Sequence, residues 1–279
     1  MIVDETRRIL NEYNTRAKKN FGQNFLINKD IITGIVKEAK LSKDDYVIEI
    51  GPGIGSLTEH LCINAKHVLC YEIDNDMYNI LSNTLKDYDN KTIILGDFLK
   101  QDVESDIIRY LNGSKNVKVI ANLPYYITTP IMFKLLEIDS ISEFVFMVQK
   151  EMGERFVGKV NTKDYNALSV YMKYYTDTHK AILVSRANFM PAPNVDSVVL
   201  HSYINKKEFN LKNEKDFLKF VRNAFAQRRK TLINNISNAY KLSKVELEAK
   251  LIELNVSPTI RSEALSLEEL VKVYKYLFE

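Results

Sequence analysis

Cysteine is nearly absent from this 279-residue sequence: Cys62 and Cys70 are the only two. Two thiols neither staple a domain of this size nor match a zinc spacing, so they read as reduced side chains in a reducing compartment. No apolar run approaches the roughly 20 residues of a membrane helix, which excludes a helical membrane span. The opening MIVDETRRILNEYN has no apolar h-region and mixes acids with bases, and no Arg-rich, acid-poor stretch comes before Phe21. Neither secretion nor organellar import is therefore expected, and the chain reads as cytoplasmic. Repeats, low-complexity tracts and long flexible linkers are missing too. Against these absences stands an ordinary globular balance, 46% hydrophobic and 27% charged, which argues against disorder.

The net charge of +3 is unevenly divided. Residues 206–279 hold 15 Lys and Arg against 10 Asp and Glu, a net +5, which leaves −2 for residues 1–205. A second small basic cluster is Arg16, Lys18 and Lys19. The asymmetry fits a polyanionic partner near these segments, and it fits equally a solvated helical surface.

Short, β-branched apolar runs alternate with helical patterns. YVIEI (46–50), HVLCYEI (67–73), TIILG (92–96), VKVIANL (117–123) and FVFMVQ (144–149) read as buried parallel strands. Helical spacing lies between them, near 56–64, 75–87, 103–111 and 129–137. This alternation predicts a doubly wound, Rossmann-like α/β sheet. HKAILVS (179–185) and DSVVLHSYI (196–204) are too close for a helical crossover, so these last strands should pair antiparallel. Beyond Asn205 only helical patterns remain, at 214–227, 229–239, 244–254 and 266–278. The expected organisation is one domain over 1–205 and a small all-helical domain over 206–279.

The first strand runs into Glu49-Ile50-Gly51-Pro52-Gly53-Ile54-Gly55 and a helix, a turn whose glycines admit a ligand close to the backbone. The dinucleotide fingerprint wants a third glycine where Ser56 stands, and the P-loop lysine is missing. A sulfonium nucleoside, which has no phosphates, suits the turn better. Glu72 closes the second strand 21 residues after Gly51, where a carboxylate faces the ribose hydroxyls of a bound nucleoside. Asp97, after the third strand, reads equally as an acceptor for the adenine amine and as the N-cap of the next turn. The fourth strand ends in Asn122-Leu123-Pro124-Tyr125. The N6 amine of adenine is a poor nucleophile because its lone pair is delocalised. It needs acceptors for its hydrogens rather than a base, and the Asn122 amide oxygen and the Leu123 carbonyl can supply them. Pro124 stiffens the turn, and Tyr125 can stack on a base taken out of its helix.

On these motifs the sequence resembles the small-subunit ribosomal RNA adenine N6,N6-dimethyltransferases over nearly its whole length. Phe21-Gly22-Gln23-Asn24-Phe25-Leu26 is similar to that family's N-terminal cofactor motif, although on its own it reads as a packing turn. The resemblance implies S-adenosyl-L-methionine as methyl donor, contacted by Asn24, Leu26, Gly51, Glu72, Asp97 and Asn122. It places Asn122, Leu123, Pro124 and Tyr125 around the target amine. Phe189, in an FxP-like Phe189-Met190-Pro191, would be the opposite wall of the base pocket, and a phenylalanine tucked into the core is the other reading. Ala224-Phe225-Ala226-Gln227-Arg228-Arg229-Lys230-Thr231-Leu232 resembles the element that separates this family from macrolide-resistance enzymes acting on large-subunit RNA. Arg228, Arg229 and Lys230 there would bind RNA. The family often has lysine at Asn194 and arginine at Ile233.

The implied activity is dimethylation of two adjacent adenosines in the 3′-terminal hairpin loop of 16S ribosomal RNA, on an immature small subunit, by a monomer without membrane attachment. Two rivals are a large-subunit RNA methyltransferase and a ribosome-assembly factor that acts chiefly by binding. His60, His67, His179 and His201 show no ligand spacing, so no metal is expected.

Overall fold

The computed structural model describes residues 3–18 and 21–279; Lys19 of the N-terminal basic cluster lies outside the described residues. Helix α1 (Val3–Glu12) leads to a two-residue strand β1 (Phe25–Leu26) and helix α2 (Lys29–Glu38). The alternation then runs β2 (Tyr46–Ile50), α3 (Ser56–Asn64), β3 (His67–Glu72), α4 (Asn75–Thr84) and β4 (Lys91–Leu95). It continues with α5 (Val103–Tyr110), β5 (Val117–Asn122), α6 (Thr128–Leu135) and β6 (Ile141–Gln149). After α7 (Lys150–Phe156) and α8 (Ala167–Tyr175) come β7 (Thr176–Val184), β8 (Phe189–Met190) and β9 (Ser197–Ile204). Four helices close the chain: α9 (Glu214–Ala224), α10 (Leu232–Tyr240), α11 (Lys244–Glu253) and α12 (Leu267–Phe278).

The main sheet has seven strands in the order β4-β3-β2-β5-β6-β9-β7. β2 pairs parallel with both β3 and β5, β5 parallel with β6, and β9 antiparallel with β6. The expected Rossmann-like sheet is therefore present, and the two late strands are neighbours at its edge. β2 and β5 are central and covered on both faces, which is why their sequences are nearly continuous apolar runs rather than alternating ones. Connections leave β2 towards β3 on one side, whereas β5 lies on the other. In an open α/β sheet this divergence opens a crevice at the carboxyl ends of the strands. Short polar side chains start the helices: Asn28 Oδ1 accepts the Asp30 N–H at 2.8 Å ahead of α2, and Asp74 Oδ1 accepts that of Asp76 at 3.0 Å ahead of α4. α3 begins instead on Gly55, whose φ of +90° and 2.8 Å clearance from a Leu81 methyl leave no place for a Cβ.

A second, two-stranded sheet pairs β1 with β8 antiparallel, Phe25 opposite Met190 and Leu26 opposite Phe189. Strands this short carry no periodicity, and nothing in the sequence announces them.

The chain forms two compact units, Met1–Gly153 with His179–Ile204, and Glu154–Thr178 with Asn205–Glu279. The division expected at 205 is thus incomplete, because residues 154–178 belong with the helices. The tyrosines of α8 explain this. Tyr171 Oη donates to the Leu218 carbonyl at 2.9 Å, Tyr175 Oη to Glu214 at 2.7 Å, and the Tyr174 ring stacks on Phe209 at 6.1 Å. All three are buried. In the first unit one core cluster gathers around Val47, Leu61, Val68 and Ile120, and a second around Ile9, Phe25, Ile54 and Ile80. Cys62 and Cys70 are free and buried in the former, and burial pushes the Cys62 thiol up to about 12, as expected of unreactive reduced side chains. No helix among the described residues is long and apolar enough to cross a membrane.

Candidate active site

A cleft lies at the carboxyl ends of β2, β3 and β5. All six expected cofactor residues, Asn24, Leu26, Gly51, Glu72, Asp97 and Asn122, line it, as do Leu123, Pro124 and Tyr125. Residues almost a hundred positions apart converge because each borders or ends a neighbouring element.

Glu72 ends β3 and is buried, with Oε2 accepting the Gly53 N–H at 3.0 Å and Oε1 accepting the Asp74 N–H at 2.8 Å. Burial raises its carboxyl above the ordinary value, and the two backbone donors oppose that rise. Gly53 is itself constrained, with φ +60° and only 3.2 Å from a would-be Cβ to the Phe25 ring. The glycine turn, the ribose-type carboxylate and the β1 segment therefore hold one another in place. The N-cap reading of Asp97 is observed: Oδ1 caps the 3₁₀ turn of residues 98–100 by accepting the Leu99 N–H at 3.0 Å, and the residue also lines the cleft.

The turn after β5 is anchored by backbone bonds, Leu123 N–H to the Met147 carbonyl at 3.1 Å and Ile127 N–H to the Pro124 carbonyl at 3.2 Å. Asn122 Nδ2 donates to the Asn24 carbonyl at 3.3 Å, which fixes the amide's orientation. Its Oδ1 is buried and has no hydrogen-bond partner. A buried acceptor left unpaired is costly, and in a cleft it marks where a ligand hydrogen belongs. Tyr125 is half-buried, its hydroxyl 2.8 Å from Ser197 Oγ, and burial raises its phenol.

Three features of the cleft were not read from the sequence. Glu49 lies inside β2, only 2% exposed, and one of its carboxylate oxygens also lacks a partner. Burial is the main reason its carboxyl is pushed up to about 8, with the neighbouring Glu72 adding to the rise. The one available signal was an acid inside an otherwise apolar strand. The second feature is a clasp at Asp74, which accepts from Lys18 Nζ at 2.7 Å and from Gln23 Nε2 at 2.8 Å. Burial would raise Asp74, but these two donors outweigh it and hold the carboxyl low. Since Asp74 also donates its N–H to Glu72, the clasp ties Lys18 and Gln23 to the β3 end. The third is Tyr126, which is 53% exposed and lines the cleft beside Gly22.

The Glu49 shift carries a sign. An acid at about 8 in the fold and near its ordinary value when unfolded makes the folded chain bind more protons between those pH values. Stability contributed by this group is full at low pH and is lost as pH rises, at up to about 1.4 kcal/mol per pH unit, levelling off above 8. Denaturant melts of the Glu49→Gln variant should lack this decline, and identical pH profiles for variant and parent would show that Glu49 titrates normally.

Not every expected residue is in the cleft. Phe189 is 3% exposed, pairs with Leu26 across the small sheet and packs in the aliphatic core, so of its two readings the core one is what the fold displays. The pairing of β8 with β1 places its ring on that side. Arg228, Arg229 and Lys230 lie in the helical unit on an exposed turn before α10. Arg228 donates to the carbonyls of Lys163 and Thr162, whereas Arg229 and Lys230 are exposed to solvent. Ile233 is buried inside the same unit, which accounts for an aliphatic residue there.

The family model described as ribosomal RNA adenine dimethylase matches residues 14–279. The chain is 45% identical over 274 residues to a ribosomal RNA small subunit methyltransferase A of Lactococcus lactis, covering 97% of this chain and 93% of that one. Among solved structures, a dimethyladenosine transferase from Plasmodium falciparum superposes with a TM-score of 0.72 at 26% identity, over 90% of this chain and 96% of the other. A 23S rRNA methyltransferase, ErmE, shares the fold at a TM-score of 0.65 and 24% identity, over 92% of this chain and all of that one.

Proposed function

Because the chain belongs to the ribosomal RNA adenine dimethylase family, we propose that it transfers methyl groups from S-adenosyl-L-methionine to N6 of two adjacent adenosines in the 3′-terminal hairpin loop of small-subunit ribosomal RNA. The observation that carries this reading is the buried, unpartnered Oδ1 of Asn122 in the cleft at the strands' carboxyl ends.

The residues present fit the donor. Glu72 would accept from the ribose hydroxyls, Asp97 from the adenine amine, and the orphan oxygen of Glu49 would receive the amino group of the methionine moiety. Bound there, the donor supplies an electrophilic methyl group. The chain's own work is positioning. Asn122 Oδ1 takes one hydrogen of the target amine, the Leu123 carbonyl takes the other, and the nitrogen lone pair is thereby aimed along the line of attack. These acceptors are fixed beforehand by Asn24 and Met147, so no reorganisation is needed as charge develops. No side chain has to remove a proton in advance, and the proton displaced from nitrogen leaves to solvent. Tyr125 and the exposed Tyr126 are the stacking surfaces for the extruded base.

The helical unit would hold the RNA through Arg229 and Lys230, with Arg228 serving to hold its turn against residues 162–163. Phosphate contacts carry no sequence information, so Arg229→Ala with Lys230→Ala should weaken binding to any RNA of the right shape. Each lost contact should also lower the slope of log K against log salt by about 1. A salt slope equal to the parent's would remove both residues from the RNA surface. The reading as a whole is tested by incubating the chain with labelled cofactor and unmethylated small-subunit particles, acting as a monomer on the immature subunit, followed by nucleoside analysis. Labelled dimethyladenosine is expected; label that appears only with large-subunit RNA would favour the rival specificity, and no label would leave a binding factor.

A further inference from the structure

Far from the cleft, the first unit gathers a cluster the methyl-transfer reading does not use. Glu38 ends α2, His179 lies in β7 and His201 in β9. Glu38 Oε1 is 3.1 Å from His179 Nε2 and 2.9 Å from His201 Nδ1, and the three donor atoms lie within 4.8 Å of one another. The 141 and 163 residues that separate these histidines from Glu38 hid the cluster from any motif of ligand spacing. Only the neighbouring edge strands bring the two rings together, 5.4 Å apart.

We propose that Glu38, His179 and His201 form a binding site for a divalent first-row transition ion of the zinc class, with solvent as the fourth ligand. Two imidazoles and a carboxylate are a donor set zinc takes readily. Ligands bonded at about 2.0 Å in a tetrahedron stand about 3.3 Å apart, so carboxylate-to-imidazole separations of 3.1 and 2.9 Å need to open by only a few tenths of an ångström. His179 and Glu38 are partly exposed, which provides an entry path and a position for water. His201, by contrast, is fully buried.

A second, independent feature is the support behind His201. Its other nitrogen, Nε2, lies 2.9 Å from Glu143 Oε2, and Glu143 is in turn held by Lys118 at 2.8 Å. A carboxylate behind a histidine is the outer-shell arrangement that fixes the ring and raises the basicity of the nitrogen facing a metal. The charges also suit a cation. Glu38, Glu143 and Asp45 are three carboxylates gathered around the Lys118 ammonium and the His201 ring, so the surroundings are rich in acid. Both nitrogens of His201 face carboxylate oxygens, so without an ion both carry hydrogens. A bound ion takes the place of the Nδ1 proton, which leaves to solvent, while His179 shifts its hydrogen to Nδ1.

The site is remote from the methyl-transfer chemistry. Lys118 and Glu143 lie near the amino ends of β5 and β6, whereas the cleft is at the carboxyl ends. The ion would join α2 to the β9–β7 edge of the sheet, so its effect is on stability, independent of the proposed activity.

The test uses the full chain without a histidine tag, stripped with a chelator and titrated with zinc chloride. One ion per chain is expected, together with a rise in melting temperature and, with cobalt(II) as probe, the intense visible absorption of a tetrahedral site. His179→Ala, an exposed substitution, should weaken zinc binding by about tenfold or more, no less than the loss of an outer-shell partner does, and abolish the melting shift. Glu143→Gln should weaken it by about ten- to a hundredfold, and His60→Ala should leave it unchanged. Methyl transfer by His179→Ala should equal the parent's, which separates failure of this site from failure of the enzymatic reading. Absence of stoichiometric binding, or binding that survives His179→Ala intact, would reduce the cluster to an ion-pair network around an imidazolium.

Discussion

Asn122→Ala is expected to lower the rate of methyl transfer by about a hundred- to a thousandfold, the size of effect seen when one preorganised hydrogen-bonding group is removed from a reacting centre. The cofactor's dissociation constant should stay close to the parent's. The asymmetry comes from which atom is lost. Nδ2 holds the Asn24 carbonyl, a bond at 3.3 Å within a segment that Lys18, Gln23 and Asp74 already clasp, so the cleft survives its removal. Oδ1 is the buried oxygen with nothing to accept, and its loss is felt only when a target amine arrives. Asn122→Asp sharpens the test: a carboxylate cannot donate to the Asn24 carbonyl, so two acceptors would face each other and the remaining oxygen would lose its aim. A rate as low as that of the alanine variant would show that orientation, rather than the mere presence of an acceptor, matters. Single-turnover measurements with product binding measured by calorimetry separate the two quantities, and unchanged turnover in Asn122→Ala would remove the residue from its role.

Much of this geometry is legible in the sequence because parallel strands in a doubly wound sheet announce themselves twice, as β-branched runs and through the turn at each carboxyl end. YVIEI and VKVIANL coincide with β2 and β5 within a residue, and each leads into a turn that lines the cleft. A motif at a strand's carboxyl end is thereby placed in the crevice as soon as strand order is known. Glu72 and Asp97 could be placed at the cleft on that ground, although Asp97 read equally as an N-cap. Side chains whose neighbours come from distant elements could not be read in the same way. Phe189 looked available on its loop, and the β1–β8 pairing that buries it involves two residues per strand, too few to leave a pattern. The Asp74 clasp is a contact between Lys18 and a residue 56 positions away, with no spacing rule behind it. The helical boundary failed for a related reason. Aromatic residues on α8 pack on α9, and a tyrosine-rich stretch among strands says nothing about which core will receive it. Glu49 was missed because burial, not residue type, makes it unusual.

Glu72→Ala should weaken cofactor binding by about ten- to a hundredfold, corresponding to the roughly 1.5–3 kcal/mol of hydrogen bonds made to a charged group. The size depends on what the carboxylate is already doing. Both oxygens accept backbone N–H groups, from Gly53 and Asp74, and each keeps a lone pair that a ribose hydroxyl can use. The same side chain therefore shapes the glycine turn and lines the cleft, and an alanine would disturb both. Glu72→Gln separates them. It keeps one acceptor and the side chain's bulk and removes a charge whose burial the fold opposes, as the raised carboxyl shows. The lost backbone bond and the relieved desolvation act in opposite directions, so the melting temperature of the unliganded chain should change little. Affinity should still fall, because the glutamine amide nitrogen donates where a ribose hydroxyl needs an acceptor. Titrating S-adenosylhomocysteine into each variant by calorimetry, with melts of the same samples, reads both quantities. An unaltered dissociation constant in a well-folded Glu72→Gln would place the ribose elsewhere in the cleft, whereas a loss of affinity matched by an equal loss of stability would make Glu72 a structural support of the glycine turn and nothing more.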